Sequence, residues 1–405
     1  SGSGAFPTPV GQYAVTLAAN QAGVLVSPVR QMAGGAQVFR LSRALRHRDV
    51  ERMASAMRQG DANIEFVEPD RLMQPLALTN DAMLAQQWSL TDATAGIRAP
   101  QAWDRSTGKG ITVAVLDTGV LPHADLAANL LPGYDFVTDL TMANDGNGRD
   151  ANAADPGDAV AAGACGAGSA AGKSSWHGTH VAGIVAAAGG NGTGVAGVAH
   201  GARILPLRVM GRCGGYTSDI ADAMVWAAGG SVAGLPANPN PARVLNLSLG
   251  GRGSCAQTTQ AAINAARARG AVVVVAAGNA NADAATVAPA NCKGVIVVAA
   301  TGRKGGKASY SNTGSTVTLA APGGDGGGGI LSTLNTGTAG PRADSYAAYT
   351  GTSMATPAVA GAVALMLAVK PTLTPDQVAD LLKQSARAFP VACSKCGAGL
   401  LDEHA

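Results

Sequence analysis

Residues 113–119 read Val-Ala-Val-Leu-Asp-Thr-Gly, an apolar run that ends in a carboxylate. This run overlaps a short apolar segment at 111–116, and similar segments follow at 203–209, 244–249, 271–277 and 295–300. Stretches with helical character lie between them, at 177–188, 218–228 and 256–268. Near-continuous apolar strands that alternate with helices are typical of a parallel sheet covered by helices on both faces. The sequence therefore predicts an α/β domain with a mainly parallel sheet over residues 77–405.

The first 76 residues differ from the rest, because they are rich in arginine and contain no cysteine. Alternating apolar residues predict strands at 13–17, 37–41 and 64–69. Val50, Met53 and Met57 recur at helical spacing and predict a helix at 49–59. Strands that flank a helix predict a small α+β domain at 1–76, followed by a linker at 73–81. The Ser-Gly-Ser-Gly start at 1–4 resembles a cloning remnant or a trimmed end.

The overall composition favours a folded protein, with 47% hydrophobic and 14% charged residues in a chain of 405. The net charge of +3 is spread along the chain without a basic block, so we expect no nucleic-acid partner. The longest apolar stretch, 355–369, contains Pro357 and Gly361 and is shorter than the roughly 20 residues of a membrane span. We expect a buried helix there and a soluble, monomeric protein.

The cysteines form an even set of six: Cys165, Cys213, Cys255, Cys292, Cys393 and Cys396. No His-x-His or paired CxxC pattern accompanies them, so disulfides in an exported protein explain them better than a zinc site. Cys393 and Cys396 form a CxxC motif that could also serve redox chemistry. Because this motif lies in a Ser/Gly-rich tail and does not open a helix, a structural disulfide is favoured.

Four polar residues stand where predicted strands end or helices begin. Asp117 ends Val-Ala-Val-Leu-Asp, and His177 opens His-Gly-Thr-His-Val-Ala-Gly. Asn279 ends Val-Ala-Ala-Gly-Asn, and Ser353 lies in Gly-Thr-Ser-Met-Ala-Thr-Pro. Taken singly, they could be a turn residue, a structural histidine, a loop former and a helix cap. Together they are the groups that acyl transfer requires, and strand ends of a parallel sheet meet at one edge.

The chemistry of acyl transfer assigns a role to each of these residues. A serine hydroxyl is a weak nucleophile at neutral pH, so Ser353 needs a neighbouring base. His177 can take its proton and return it to the leaving amine, while a buried Asp117 would fix the imidazole tautomer and stabilise its charge. The Asn279 amide and the Ser353 N–H are suited to stabilise the oxyanion. Since all of these are protein groups, no cofactor is expected for catalysis.

The chain order Asp, His, Ser in these local sequences resembles the subtilisin-like serine protease family (peptidase S8), over about residues 88–402. The resemblance implies a subtilisin-like fold and a secreted serine endopeptidase with protein or peptide substrates. It implies S1 pocket walls at Ser248, Leu249, Gly250, Ala276, Ala277 and Gly278, and an opposite cleft edge at Arg212, Cys213 and Gly214. A peptide added as a strand between these edges binds through its main chain, which implies broad specificity. Small, uncharged walls predict an apolar side chain at the P1 position.

The N-terminal domain also carries a resemblance. Residues 38–41, the helix after them and residues 67–70 are similar to the inhibitory prodomain of this family. This implies a zymogen that cleaves off its own inhibitor, which we expect between Leu76 and Asn80. The cysteine placement resembles a secreted bacterial branch with three bridges, which implies the pairs Cys165–Cys213, Cys255–Cys292 and Cys393–Cys396.

Three other interpretations concern a calcium site, a dinucleotide site and an esterase. Residues 145–150 partly match a calcium loop, although Pro156 stands where an EF-hand needs Glu. Structural calcium and a merely solvated acidic loop therefore both remain open for this set of carboxylates: Asp145, Asp150, Asp155 and Asp158. Residues 192–197 match G-x-G-x-x-G but follow a helix, which argues against a dinucleotide cofactor. An esterase would carry G-x-S-x-G ahead of its Asp and His, unlike this chain.

Overall fold

A computed structural model describes residues 9–32, 35–45, 47–69 and 79–403. The chain divides into two compact units, Ser1–Pro75 and Leu76–Ala405. Residues 70–78 lie outside the described part, and with them the domain end predicted at residue 76 and most of the expected cleavage region. The start at 1–4 also lies outside it.

The described part of the first unit is a small α+β structure. Its elements are α1 (Pro9–Gln21), β1 (Val26–Gln31), β2 (Gln37–Leu41) and α2 (His47–Gly60). The strands pair antiparallel, and the two helices share a core that includes Val15, Ala18 and Met53. The strand predicted at 37–41 and the helix predicted at 49–59 are confirmed.

Two strands predicted for this unit are wrong. Residues 13–17 lie inside α1, whose buried side chains recur at helical spacing: Ala14, Val15, Ala18 and Ala19. The alternation of larger residues at 13, 15 and 17 concealed these alanines, which are strong helix formers. Residues 64–69 form no strand, and Ile64 and Val67 pack against the core at a spacing of three residues.

The second unit contains the predicted alternation of strands and helices. Its strands are β3 (Thr112–Asp117), β4 (Tyr134–Asp135), β5 (Arg203–Arg208), β6 (Val244–Leu247), β7 (Gly251–Arg252), β8 (Val272–Ala276), β9 (Val287–Ala288), β10 (Ile296–Thr301), β11 (Leu319–Pro322), β12 (Ile330–Asn335) and β13 (Asp344–Tyr349). Its α-helices are α3 (Trp88–Thr91), α4 (Ala99–Trp103), α5 (Leu140–Ala143), α6 (His177–Ala186), α7 (Thr217–Ala227), α8 (Gln257–Ala268), α9 (Thr352–Val369) and α10 (Pro375–Ser385). Short 3-10 turns occupy Leu84–Gln86, Ala127–Asn129 and Ala284–Thr286.

Seven of these strands form one sheet in the order β11-β10-β8-β6-β3-β5-β4. Every neighbouring pair in it is parallel. Small antiparallel pairs, β7 with β9 and β12 with β13, lie outside this sheet. The predicted α/β fold is confirmed, and the strands and helices predicted between 111 and 300 begin and end within two residues of those observed.

The packing of the central strand β3 explains why its residues are apolar on both faces. Val113 and Val115 belong to a buried cluster with side chains of α6 and α9. Ala114 and Leu116 belong to a second cluster with side chains of α7 and α8. All four residues are fully buried. A strand covered on both faces cannot alternate between apolar and polar residues, which explains its continuous apolar sequence.

The helix predicted at 355–369 is confirmed as α9, which begins three residues earlier at Thr352. It is the one helix of the described chain with the length and composition of a membrane span, and 78% of that window is buried inside the unit. The three disulfides join Cys165 to Cys213, Cys255 to Cys292 and Cys393 to Cys396. These are the pairs that the family resemblance implies.

Candidate active site

The sheet topology brings the candidate residues to one edge. β8, β6, β3 and β5 are consecutive strands of the sheet and run in the same direction, so their carboxyl ends lie along one edge. The segment 212–214 follows β5, Asp117 ends β3, Ser248 follows β6 and Asn279 follows β8. His177 is the first residue of α6, and Ser353 lies in the first turn of α9.

Asp117 and His177 form a direct pair. His177 Nδ1 lies 2.7 Å from Asp117 Oδ1, and the Asp117 side chain is fully buried. The Thr118 N–H donates to the same carboxylate oxygen at 2.8 Å. Because a carboxylate only accepts, Nδ1 carries the proton and Nε2 keeps its lone pair. The structure therefore holds His177 in the tautomer that a general base requires.

The environment of His177 favours its charged form. Burial opposes the imidazolium, but the charge and hydrogen bond of Asp117 outweigh it, with help from Asp158 and Asp155. The pKa of His177 is consequently raised above its ordinary value. The imidazole is a better proton acceptor than free histidine and becomes protonated at a higher pH.

Ser353 is tied to the end of β6 by a reciprocal contact. Its hydroxyl donates to the Ser248 carbonyl oxygen at 2.9 Å, and the Ser248 hydroxyl donates back to the Ser353 carbonyl oxygen at 2.9 Å. Asn246 Nδ2 donates to Ser248 Oγ at 3.0 Å and supports this arrangement. The start of α9 is thus fixed beside the predicted S1 wall.

Asn279 is oriented by Thr352. The Thr352 N–H and hydroxyl both donate to Asn279 Oδ1, at 2.9 and 2.8 Å. Because a backbone N–H can only donate, the amide oxygen must face Thr352 and Nδ2 is free to donate elsewhere. A Cβ built on Gly351 would lie 3.6 Å from both Asn279 Nδ2 and the Ser353 nitrogen. The two expected oxyanion donors therefore border the same small space.

Asn312 holds the loop that carries Asn279. Its Oδ1 accepts from the Ala280 and Ala282 N–H groups at 3.0 and 2.9 Å, and its Nδ2 donates to the Ala277 carbonyl oxygen at 2.9 Å. Asn312 is fully buried, so these bonds replace its contact with water. The loop after β8 is a fixed platform for the exposed Asn279.

The predicted S1 walls meet around Val287. A Cβ on Gly250 would lie 3.1 Å from Val287 Cγ1, and one on Gly278 would lie 3.5 Å from Val287 Cγ2. Ser248, Ala276 and Ala277 are buried, whereas Leu249 is half-buried. The surfaces around this point are small and uncharged, and the bond between Ala288 and Pro289 beside it is cis.

The predicted opposite edge forms a tight turn. Gly211 pairs with Gly214, and the Arg212 N–H donates to the Met142 carbonyl oxygen at 2.9 Å. Cys213 has a φ of +69° and is joined to Cys165. The disulfide thus anchors this edge to the long loop between α5 and α6.

The four carboxylates considered for calcium do not gather into one site. Asp145 contacts Arg208, and Asp150 accepts from Asn147 Nδ2 at 2.8 Å. Asp155 accepts from the Thr118 hydroxyl, and Asp158 accepts from Ser175. Within residues 9–32, 35–45, 47–69 and 79–403, no group of three or more His, Cys, Asp or Glu side chains could hold a metal ion. The four carboxylates therefore do not form the shared calcium site that the sequence left open, and each accepts hydrogen bonds or ion pairs from partners of its own.

Several residues of the site were not assigned a role from the sequence. Thr352 lies in the quoted Ser353 motif, but its contact with Asn279 joins positions 73 residues apart. Asn312 contacts a loop about 30 residues away, and Ser175 was given no role. Among these three residues, only Thr352 had a sequence feature that indicated a role in the site, namely its position next to Ser353.

The comparisons with known proteins agree with this geometry. The model of the subtilase family, Peptidase S8, matches residues 108–399. An extracellular protease of Xanthomonas campestris pv. campestris is 54% identical over 384 residues, and an extracellular basic protease of Dichelobacter nodosus is 46% identical over 353. These alignments cover 94% and 85% of this chain, which spans 65% and 58% of the length of those two relatives.

Solved structures show the same fold. A protease from Pseudoalteromonas arctica is 56% identical, with a TM-score of 0.80, over 80% of this chain and 97% of that one. A cold-adapted subtilisin-like serine proteinase is 32% identical, with a TM-score of 0.55, over 74% of this chain and 91% of that one. The fold is subtilisin-like. The chain belongs to the subtilase family.

Gly278 is the position where the loop that carries Asn279 should be most sensitive to an added side chain. Its φ is +102°, and a Cβ there would lie 2.5 Å from Asn312 Nδ2. We expect Gly278→Ala to lower the free energy of unfolding by about 1–3 kcal/mol, from backbone strain and the displaced amide. Gly251→Ala, where a Cβ meets nothing within 4 Å, is the matched control. Denaturant unfolding checks this, and equal stabilities for the two variants would contradict it.

Proposed function

We propose that this protein is a secreted serine endopeptidase in which Ser353 attacks the peptide carbonyl. The observation that carries the proposal is the 2.7 Å contact between His177 Nδ1 and the buried Asp117, at the sheet edge where Ser353 and Asn279 also lie. Its membership of the subtilase family supports the same reaction class. Both relatives are named extracellular proteases, and three disulfides suit an oxidising compartment.

The proposed first step moves one proton and forms one bond. The Ser353 hydroxyl, which donates to the Ser248 carbonyl oxygen in the free protein, rotates toward His177 Nε2. As Oγ bonds to the substrate carbonyl carbon, the proton passes to Nε2 and the carbonyl electrons move to oxygen. Asp117 stabilises the resulting imidazolium through the Nδ1 bond. His177 then protonates the leaving amine, and water repeats the sequence on the acyl-enzyme.

The oxyanion is assigned to the space between Asn279 Nδ2 and the Ser353 N–H. Thr352 supports this role, because it holds the amide oxygen and so directs the amide protons away from itself. Donors that are oriented before the reaction stabilise the developing charge without reorganisation. The nucleophile, the base and the oxyanion donors are all protein groups, so this chemistry requires no cofactor.

Casein or peptide hydrolysis tests the function directly. We expect Ser353→Ala to remove activity by several orders of magnitude while its melting temperature stays near that of the parent. Asn279→Ala should lower kcat by about 10²–10³ with little change in KM, because it removes one oxyanion donor. Turnover by Ser353→Ala within tenfold of the parent would show that the nucleophile lies elsewhere. A rise in KM with unchanged kcat would make Asn279 a substrate-binding residue.

We infer that the S1 pocket prefers apolar side chains, because the predicted walls around Val287 carry no charge. Gly250→Val should narrow the slot, since a Cβ there would lie 3.0 Å from the Ala288 carbonyl oxygen and 3.1 Å from Val287 Cγ1. Relative to Ala at P1, we expect kcat/KM for Phe at P1 to fall roughly 10- to 200-fold.

Gly251→Ala is the matched control, because it adds a methyl one residue away with no atom within 4 Å. Its P1 profile should equal that of the parent. If a peptide library gave Arg or Lys as the preferred P1 residue, the pocket assignment would be wrong.

We further propose that the first unit is an inhibitory prodomain that Ser353 removes. The support is its α+β core and the linker sequence after Asp70, which is apolar and contains Pro75. Proline fixes one backbone angle, which lowers the entropy that such a segment would lose on binding along a cleft edge.

Processing should therefore occur between Leu76 and Asn80. We expect mass spectrometry to show that the Ser353→Ala chain remains intact. Adding a trace of active enzyme should cut it at this linker. The separated module should then inhibit the mature enzyme. Spontaneous maturation of the inactive variant would assign the cut to another protease, and failure to inhibit would remove the prodomain role.

A further inference from the structure

The helix that begins with His177 has an unusual start. Its N-cap, Trp176, has a left-handed backbone with φ of 50° and provides no side-chain cap. The first N–H groups of an α-helix have no partner within the helix and need one from elsewhere. In α6 these groups belong to His177 and the residues beside it, so whatever binds them also sets the position of the imidazole.

Two side-chain hydroxyl groups accept hydrogen bonds from the N–H groups at this helix start. Ser175 Oγ accepts from the His177 N–H at 3.3 Å, and Thr118 Oγ1 accepts from the Gly178 N–H at 3.0 Å. Thr118 directly follows Asp117, the last residue of β3, whereas Ser175 precedes α6. The two members of the Asp117–His177 pair are therefore connected a second time, through the backbone of the helix start.

Each hydroxyl is in turn held by a carboxylate. Thr118 donates to Asp155 Oδ2 at 2.6 Å, and Ser175 donates to Asp158 Oδ2 at 2.7 Å. A hydroxyl has one proton, so donating it to a carboxylate leaves its lone pairs facing the helix N–H groups. Asp155 also accepts from the Gly157 N–H at 2.8 Å, and Asp158 from the Ser175 N–H at 2.6 Å.

Close packing makes the position of α6 sensitive to these contacts. A Cβ on Gly178 would lie 2.2 Å from the Gly119 carbonyl oxygen and 3.1 Å from Asp117 Cβ. The helix start thus lies directly against the end of β3, with no room for a side chain between them. A small displacement of either element changes the geometry between Asp117 and His177.

Both carboxylates also act on His177 through their charge. Asp158 and Asp155 favour the imidazolium, in that order, after Asp117. Burial raises the pKa of Asp155 itself to about 7, whereas its bonds from Thr118 and Gly157 oppose that rise. Asp158 is half-buried.

We propose that Asp155 and Asp158 are positioning residues, which hold the Asp117–His177 pair in register through Thr118 and Ser175. The proposal rests on the proposed function of that pair. The acidic loop before α6 thus serves catalytic geometry through two carboxylate–hydroxyl–amide relays. Neither residue touches the substrate or the reacting atoms.

Paired variants separate position from charge. Ser175→Ala removes the acceptor for the His177 N–H and leaves the Asp158 charge in place. We expect kcat to fall about tenfold or more, with KM unchanged within about twofold, because small misplacements of a catalytic group are costly. Asp158→Asn should lower kcat similarly. The kcat of the double variant should be no lower than that of the less active single variant, because both substitutions break the same relay.

The pH dependence of kcat/KM reports the charge that Asp158 places near His177. A residue that only supported the fold would not change it. His177 acts as a base only when neutral, so kcat/KM rises with pH through its pKa. Asp158→Asn removes a charge that favours imidazolium, so the midpoint of this acid limb should move to lower pH. Ser175→Ala should leave the midpoint near that of the parent.

Two controls match these substitutions. Asp325→Asn removes a carboxylate that binds the N–H and hydroxyl of another serine, Ser309, and Ser169→Ala removes a hydroxyl that accepts from the Cys165 N–H in the same loop as Asp158. Both should keep the kcat and the acid limb of the parent. Parent-like kcat in Ser175→Ala, or equal losses in the controls, would overturn the proposal.

A measurement without turnover distinguishes this proposal from the function on which it rests. In a Ser353→Ala background, NMR titration of His177 should give a lower pKa for Asp158→Asn than for the unsubstituted loop. If the parent hydrolyses peptides, but this pKa does not move and Ser175→Ala keeps the parent kcat, the positioning proposal fails alone. If the parent hydrolyses nothing, the proposed function fails, and the titration still reports whether Asp158 acts on His177.

Discussion

A carboxylate without access to water, at the end of a buried strand, is the constraint on which the rest of the site depends. Asp117 is fully buried, and an ionised group in such a place costs several kcal/mol unless protein donors replace its solvent. The Thr118 N–H and His177 Nδ1 both donate to one oxygen of this carboxylate, Oδ1. The same bonds that make the buried charge tolerable also fix the imidazole tautomer. Stability and chemical competence therefore rest on the same atoms.

The other two carboxylates near His177 are also hydrogen-bonded to protein donors. Asp155 and Asp158 each receive two hydrogen bonds from nearby backbone and hydroxyl groups. Three carboxylates around one imidazole raise its pKa, which strengthens the base but restricts its neutral form to higher pH. The loop that carries Asp155 and Asp158 resembles a metal-binding loop in composition because both kinds of site need many carboxylates. What separates them is the direction of the side chains, which composition does not encode.

The sequence predicted the parts of the protein that local chemistry dictates. Continuous apolar runs identified β3, β5, β6, β8 and β10, and the motifs around Asp117, His177, Asn279 and Ser353 identified the candidate site. Alternation failed for residues 13–17, because the larger residues there alternate like a strand, whereas the residues that α1 buries recur at helical spacing. The supports of the site could not be predicted either. Three contacts join residues far apart in the chain: Thr352 with Asn279, Asn312 with the loop after β8, and Thr118 with Asp155. They depend on which loops and helix starts the fold brings together.

The disulfide between Cys165 and Cys213 has a consequence for the resistance of the chain to proteolysis. Residues 165–168 are all exposed, so this part of the loop is open to proteolysis. The bond encloses the chain from 165 to 213, which contains α6 and β5. A single cut anywhere inside that ring leaves both new ends covalently joined to the body of the unit. Nicked molecules would keep the rim at 212–214 attached, and their loss of activity would lag behind their fragmentation on a reducing gel.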